Sequence, residues 1–224
     1  MKRTRICTSL LAPTCEGLAA KARKAIAKGT DLVEFRLDML RSPRISQIRG
    51  DLEAYAERAI FTLRRPDEGG GFKGSEPERL ALVSESAGLE PAYFDIELRT
   101  LKANRELART RLGQRTIVSW HGLAGTPDRA RLLSLMADAS AFGLPKIVPA
   151  ARSSVDNLAV LSLYDRPGPP PIAFCMGQPG LLSRVMAIER GTPIAYASLD
   201  GERTAEGQLS LGQALAIRRR LESA

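Results

Sequence analysis

At 224 residues, 44% of them hydrophobic, the chain is long enough to bury one large core or two small ones. Its net charge of +8 comes from 33 basic residues interleaved with 25 acidic ones, a pattern that points to a solvated surface and a pocket for an anionic small molecule rather than to a nucleic-acid partner. Cys7, Cys15 and Cys175 lack metal-ligand spacing and are odd in number, which argues against a disulfide scaffold or a metal site and fits a reducing cytoplasm; no apolar run is long enough for a signal-peptide core or a membrane span.

No linker or change of composition divides the chain, so residues 1–224 are expected to form one domain. A short β-rich run, a polar or glycine-containing turn and an amphipathic helical stretch recur along it. Strands are expected at 5–11, 31–38, 59–64, 92–98, 115–120, 144–150, 171–176 and 193–198, with helices including 17–28, 76–87, 103–112, 128–141 and 208–222. Eight units in 224 residues leave 28 for each, the size of a βα pair with short loops, which predicts an α/β fold, a compact (β/α)8 TIM barrel. The rival, an open doubly wound sheet, lacks a Gly-x-Gly-x-x-Gly turn after the first strand, and the glycine-rich segment from Glu68 to Ser75 does not follow the phosphate-loop pattern. In a barrel, chemistry is expected at the C-terminal ends of the strands.

Several strand ends carry side chains suited to that position. In the second strand, alternation sets Glu34, Arg36 and Asp38 on one face, either as a structural ion-pair network or as ligands for a polyhydroxylated molecule, with Asp38 bracing Arg36. Arg64 closes the third strand and is a candidate for holding substrate oxygens. Asp95 and Glu97 share a face of the fourth strand, where a structural role is favoured. His121, the only histidine, closes the fifth strand beside Ser119 and suits two-way proton transfer, with Glu68 on the neighbouring rim placed to orient its ring. Lys146 lies in an apolar sixth strand, one of seven lysines. Burial among arginines would favour its free amine, which can form a Schiff base with a ketone and so acidify the adjacent carbon. Ser183 and Arg184 are expected to open the helix after the seventh strand, where a guanidinium and backbone amides suit a carboxylate or phosphate. The polar segment after the eighth strand is expected to act as a lid carrying Thr204 and Gln208.

Taken in order, Glu34-Phe-Arg36-Leu-Asp38, Arg64 with Glu68-Gly-Gly, Ser119-Trp-His121 with Thr126-Pro127, Lys146-Ile, Met176-Gly177 with Ser183-Arg184, and Gly207-Gln208 resemble the type I 3-dehydroquinate dehydratase family over residues 34 to 208. The resemblance implies a (β/α)8 barrel that dehydrates 3-dehydroquinate to 3-dehydroshikimate in the shikimate pathway, without metal or cofactor. It implies Lys146 as the imine-forming lysine, His121 as the group that removes the proton beside the imine and protonates the leaving hydroxyl, and Glu68 as its positioning partner. Glu34, Arg36 and Arg64 would hold ring hydroxyls, and Arg184 and Gln208 the carboxylate. The family's lid hydroxyl, four residues before the glutamine, corresponds to Thr204 here. A homodimer is the family's tendency; neither a nucleic acid nor a membrane is expected as partner. The alternatives left by the residues alone are a Schiff-base aldolase of another small ketone and a non-enzymatic basic binding scaffold.

Overall fold

The computed structural model describes residues 3–107, 115–202 and 205–223. Eight strands alternate with eight helices among these residues: β1 (Arg5–Leu10), α1 (Cys15–Ala27), β2 (Leu32–Arg36), α2 (Ile45–Leu52), β3 (Ala59–Thr62), α3 (Glu76–Ser86), β4 (Tyr93–Glu97), α4 (Leu98–Ala103), β5 (Thr116–Gly122), α5 (Arg129–Ser140), β6 (Leu144–Pro149), α6 (Asp156–Leu161), β7 (Ile172–Ala173), α7 (Leu181–Glu189), β8 (Ile194–Ser198) and α8 (Leu211–Glu222). A ninth strand, β9 (Leu209–Ser210), lies between β8 and α8. All pairings are parallel, in the order β7-β6-β5-β4-β3-β2-β1-β8-β9, and the sheet curls into the expected (β/α)8 barrel.

Alternation along the strands separates two apolar layers. Val33, Phe35, Phe61, Phe94, Val118 and Ile147 point outward into the core shared with the helices. Their inward neighbours Leu32, Ile60 and Ile117, with Cys7, Ile172, Ile194 and Tyr196, fill the barrel floor. The inward charged side chains Glu34, Asp95 and Lys146 thereby sit above this floor, toward the strand C-termini. Between β7 and β8 the described residues show no backbone ladder; Thr192 Oγ1 donates to the Pro171 carbonyl at 3.2 Å, and the rings of Phe174 and Tyr196 lie 6.2 Å apart across the seam.

Helix starts follow local sequence. Thr14 and Asp128 accept from the amides of Gly17 and Arg131, and capping boxes join Ser75 to Glu78 and Ser210 to Gln213. Several expected boundaries need correction. The second strand stops at Arg36, where Leu37–Met39 tighten into a 3₁₀ turn, and the third stops at Thr62, leaving Arg64 on the loop beyond it. The seventh shrinks to two residues between the prolines that precede it and the Gly177 turn at φ 83°. The helix expected at 103–112 begins instead at Leu98, straight from β4; residues 108–112 of that expectation lie outside the described residues. The last helix begins at Leu211 because Leu209 and Ser210 pair with β8. α2 and α6 had no expected counterpart, and the helix expected to open at Ser183 begins at Leu181. No helix of the described residues is long and apolar enough to cross a membrane.

Candidate active site

A cavity of about 190 Å³ opens at the C-terminal face of the barrel, and Glu34, Arg36, Arg64, Glu68, His121, Lys146, Arg184 and Gln208 all line it. One strand-end constellation therefore gathers every expected site residue except Thr204, which lies outside the described residues. Among the described residues no cluster of three or more His, Cys, Asp or Glu side chains is placed to hold a metal ion.

Lys146 is 4% exposed and rises from the middle of β6. Its Nζ donates to Asp95 Oδ2 at 2.7 Å, lies 3.7 Å from Glu34 Oε1, and sits 3.9 Å from the centroid of the Tyr196 ring. The expected arginines share its cavity, but the groups touching the amine are carboxylates and an aromatic face. The nearest guanidinium, that of Arg64, is joined to it through Asp95. Strand alternation had given each of these residues its face, but the partner of a long side chain is chosen across the barrel, where alternation says nothing.

The carboxylates are fixed in turn. Ser9 Oγ and Thr62 Oγ1 donate to the two oxygens of Glu34, at 2.6 and 2.9 Å. Arg64, 3% exposed, donates to Asp95 at 2.7 Å, Glu97 at 3.1 Å and Ser119 at 2.5 Å. Glu97 also receives Arg79 Nη1 at 3.1 Å, from an α3 arginine that sequence reading passed over. Burial alone would raise the Asp95 carboxyl; Arg64, then Lys146, outweigh it and hold Asp95 well below the usual carboxylate range. The structural role expected for Glu97 fits this network, whereas Asp95 both braces Arg64 and touches the amine. Asp38 grips Arg36 in two parallel bonds of 2.8 and 2.7 Å, as the sequence suggested, and also accepts the Gly71 amide at 3.0 Å.

Glu68 ends the 3₁₀ turn Pro66–Glu68, and the chain then reverses through Gly69 at φ 82°. A Cβ on Gly70 would fall 1.9 Å from the Arg64 carbonyl oxygen, so only glycine lets the loop fold back this tightly. The reversal aims Glu68 Oε2 at His121, where it accepts the backbone amide at 2.9 Å and lies 3.1 Å from ring Nδ1. Burial, with Arg64 and Lys146 adding to it, pushes the imidazole well below its usual pKa, so the ring is neutral at neutral pH. Burial also raises the Glu68 carboxyl, to about 7, with Arg64 opposing and Glu97 adding. A folded pKa above the unfolded value of ~4.3 gives a stabilising contribution that is complete below that value and lost as pH rises through about 7. Glu68→Gln, uncharged throughout and still able to accept the His121 amide, is expected to gain on the parent by about 3 kcal/mol between about pH 4 and about pH 8. Urea unfolding at the two pH values checks this, and parallel pH dependences of variant and parent would contradict it.

The opposite wall comes from the loops after β7 and β8. Arg184, 6% exposed, stacks over the Phe174 ring at 4.4 Å, and its Nε has no hydrogen-bond partner. Burial lowers its pKa to about 10. Ser183, by contrast, serves the turn: its Oγ accepts the Cys175 amide at 2.8 Å and donates to the Gly180 carbonyl at 2.7 Å. A Cβ on Gly207 would meet the Gly177 carbonyl oxygen at 2.2 Å, so the segment carrying Gln208 seats against the turn after β7 only with glycine there. Sequence reading missed Ser9, Thr62, Phe174 and Tyr196, although the same alternation that exposed Glu34 directs Tyr196 inward from β8.

A profile of the family described as Type I 3-dehydroquinase matches residues 6–222. The 3-dehydroquinate dehydratase of Desulfotalea psychrophila is 36% identical, covering 95% of this chain and 96% of its own. That of Thermococcus gammatolerans is 37% identical over 87% of this chain and 91% of its own. Among solved structures, the 3-dehydroquinate dehydratase of Geobacillus kaustophilus matches with a TM-score of 0.86 at 22% identity, over 99% of this chain and 92% of that one. The Aquifex aeolicus enzyme matches with a TM-score of 0.81 at 27% identity, over 97% of this chain and 98% of that one.

Proposed function

The chain belongs to the type I 3-dehydroquinase family, and from that membership we propose how its side chains divide the dehydration of 3-dehydroquinate. It is a lyase of the shikimate pathway, removing water from 3-dehydroquinate to give 3-dehydroshikimate. The observation that carries the division of roles is a primary amine and a neutral imidazole lining one small cavity, the first held by Asp95 and the second by Glu68.

Lys146 is the nucleophile. Its ammonium first gives up a proton, and the amine adds to the ketone carbon. The former ketone oxygen departs as water, leaving an iminium on the lysine nitrogen. His121 then takes a proton from the carbon beside the iminium. With Glu68 Oε2 accepting the backbone amide and ring Nδ1–H, the lone pair of Nε2 is the base. The electron pair released flows into the C–N bond as an enamine and returns to expel the hydroxyl one carbon further on. The imidazolium supplies the proton that makes it water. Hydrolysis of the conjugated imine frees the product and the amine, so each turnover removes one water from the substrate overall.

Binding falls to the rim. Arg184, buried and without a carboxylate partner among the described residues, is the receptor for the substrate carboxylate, with Gln208 in the same cavity wall. Arg36, held flat by Asp38, and Glu34 take ring hydroxyls. Arg64 gives donors to Asp95, Glu97 and Ser119 and so fixes the groups beside the amine, with donors left over for a ring hydroxyl. Thr204 is retained as a lid hydroxyl. The chain is further read as a cytoplasmic homodimer, on the exposed Val155, Leu158 and Leu182 of α6, α7 and their approach; a monomer by sedimentation equilibrium would reject the dimer.

The test of the lysine assignment is borohydride reduction of the protein with 3-dehydroquinate, followed by peptide mass spectrometry. A reduced adduct on the peptide carrying Lys146 is expected, and active protein without one would overturn the covalent route.

A further inference from the structure

We propose that the aromatic face of Tyr196 is a further catalytic group, holding positive charge on the Lys146 nitrogen in the covalent iminium as it does on the resting ammonium. The proposal rests on the imine reading above. Its starting point is geometry: the Lys146 Nζ lies 3.9 Å from the ring centroid, within cation–π range and away from water.

Tyr196 is 6% exposed and is fixed from two sides, by the barrel floor of Cys7, Ile60 and Ile194 and by the Phe174 ring 6.2 Å away. Its hydroxyl is buried without a hydrogen-bond partner among the described residues. A phenol that leaves its hydroxyl unsatisfied is not held in place by that hydroxyl, and the part of the side chain in use is the ring. Burial and the carboxylates of Glu34 and Asp95 keep the phenol protonated far above its ordinary range, so the face presented to the nitrogen is that of a neutral ring at every working pH.

The charge at this nitrogen is not constant through the reaction. The ammonium loses a proton before attack, the carbinolamine is neutral, departure of the ketone oxygen as water restores one positive charge as the iminium, and removal of the adjacent C–H proton discharges it into the enamine. A group that favours the charged states keeps the imine protonated to higher pH. The protonated imine is both the electron sink and the form that borohydride reduces. Asp95 from β4 and Glu34 from β2 act in the same sense; Arg64 beyond β3 opposes them. His121 from β5, Cys7 from β1, and Arg36, Glu68 and Arg184 of the same cavity are the further titratable groups among the described residues, and Tyr196 is the contact from β8.

The experiment is borohydride trapping with 3-dehydroquinate across pH, reading the pH at which the trapped fraction falls to half. Tyr196→Phe keeps the face and is expected to leave that pH unchanged, with thermal stability no lower than the parent's, because the unsatisfied hydroxyl is gone. Mono-, di- and trifluorinated phenylalanine placed at position 196 withdraw electron density from the face while nearly preserving its shape. The half-point is expected to move down stepwise by about one pH unit over the series, a roughly tenfold loss of trapped adduct on the alkaline side. Tyr196→Leu is expected to move it in the same direction, and the fluorinated series stands alone should that variant not fold. A parent protein trapped normally, with a half-point that ignores fluorination, overturns the role of Tyr196 and leaves the lysine assignment intact. Active parent protein not trapped at any pH overturns the lysine assignment itself.

Discussion

His121→Ala is expected to keep forming the covalent adduct on Lys146 while kcat falls by about 10²–10⁴-fold. The separation follows from where the imidazole is held. Its ring is tied to Glu68 and its backbone amide to the same oxygen, so it is held independently of the amine in the cavity that Lys146 also lines. Removing the ring leaves the Asp95 and Glu34 contacts of Lys146 in place, and the ketone can still be captured. What is lost is the acceptor for the carbon-bound proton and the donor for the departing hydroxyl, one group used in both directions. The depressed imidazole pKa fits this use, because a ring that is neutral throughout the working range is always ready to accept. Steady-state rates and borohydride trapping on the same preparation decide the matter: equal losses of adduct and of turnover would place His121 at imine formation instead of after it.

Lys146→Met is expected to abolish the adduct and to lower kcat by more than about 10⁴-fold, since no other amine reaches the cavity among the described residues. A second effect is expected with it. Asp95 and Glu34 are buried, and deleting one member of a buried ion pair costs about 3–5 kcal/mol. Lys146→Arg separates the two effects, because a guanidinium restores the charge without supplying a nucleophilic amine. Urea unfolding should show it closer to the parent than Lys146→Met, with adduct absent in both. Turnover by either variant within about tenfold of the parent would sink the nucleophile assignment.

The barrel was legible because apolar alternation is a local signal: Val33 and Phe35 against Leu32 and Glu34, or Ile117 and Ser119 against Val118, can be sorted within a few residues. The inward faces carrying Glu34, Arg36, His121 and Lys146 followed from the same sorting, and the brace of Asp38 on Arg36 spans only two positions. Pairings that cross the barrel were not legible. Asp95 meets Lys146 from 51 positions away, and Arg79 reaches Glu97 from the outer helix layer, choices set by side-chain length and by where a buried charge finds an opposite one. β9 was missed because two residues carry no periodicity, and the seventh strand was drawn too long because its composition is β-rich while its neighbours are prolines. The arginines expected near Lys146 are there, but sequence could not show that Asp95 stands between Arg64 and the amine.

Arg184 carries a last implication. Arg64, Arg79 and Arg218, the other buried guanidiniums among the described residues, each face a carboxylate of this chain, and Arg184 faces a ring. The barrel mouth therefore presents one guanidinium that no carboxylate of the described residues pairs, and on the assignment made above the substrate's carboxylate meets it. Selectivity then has a simple form: a ligand carboxylate pairs the guanidinium, and a neutral analogue leaves it stranded against the Phe174 ring.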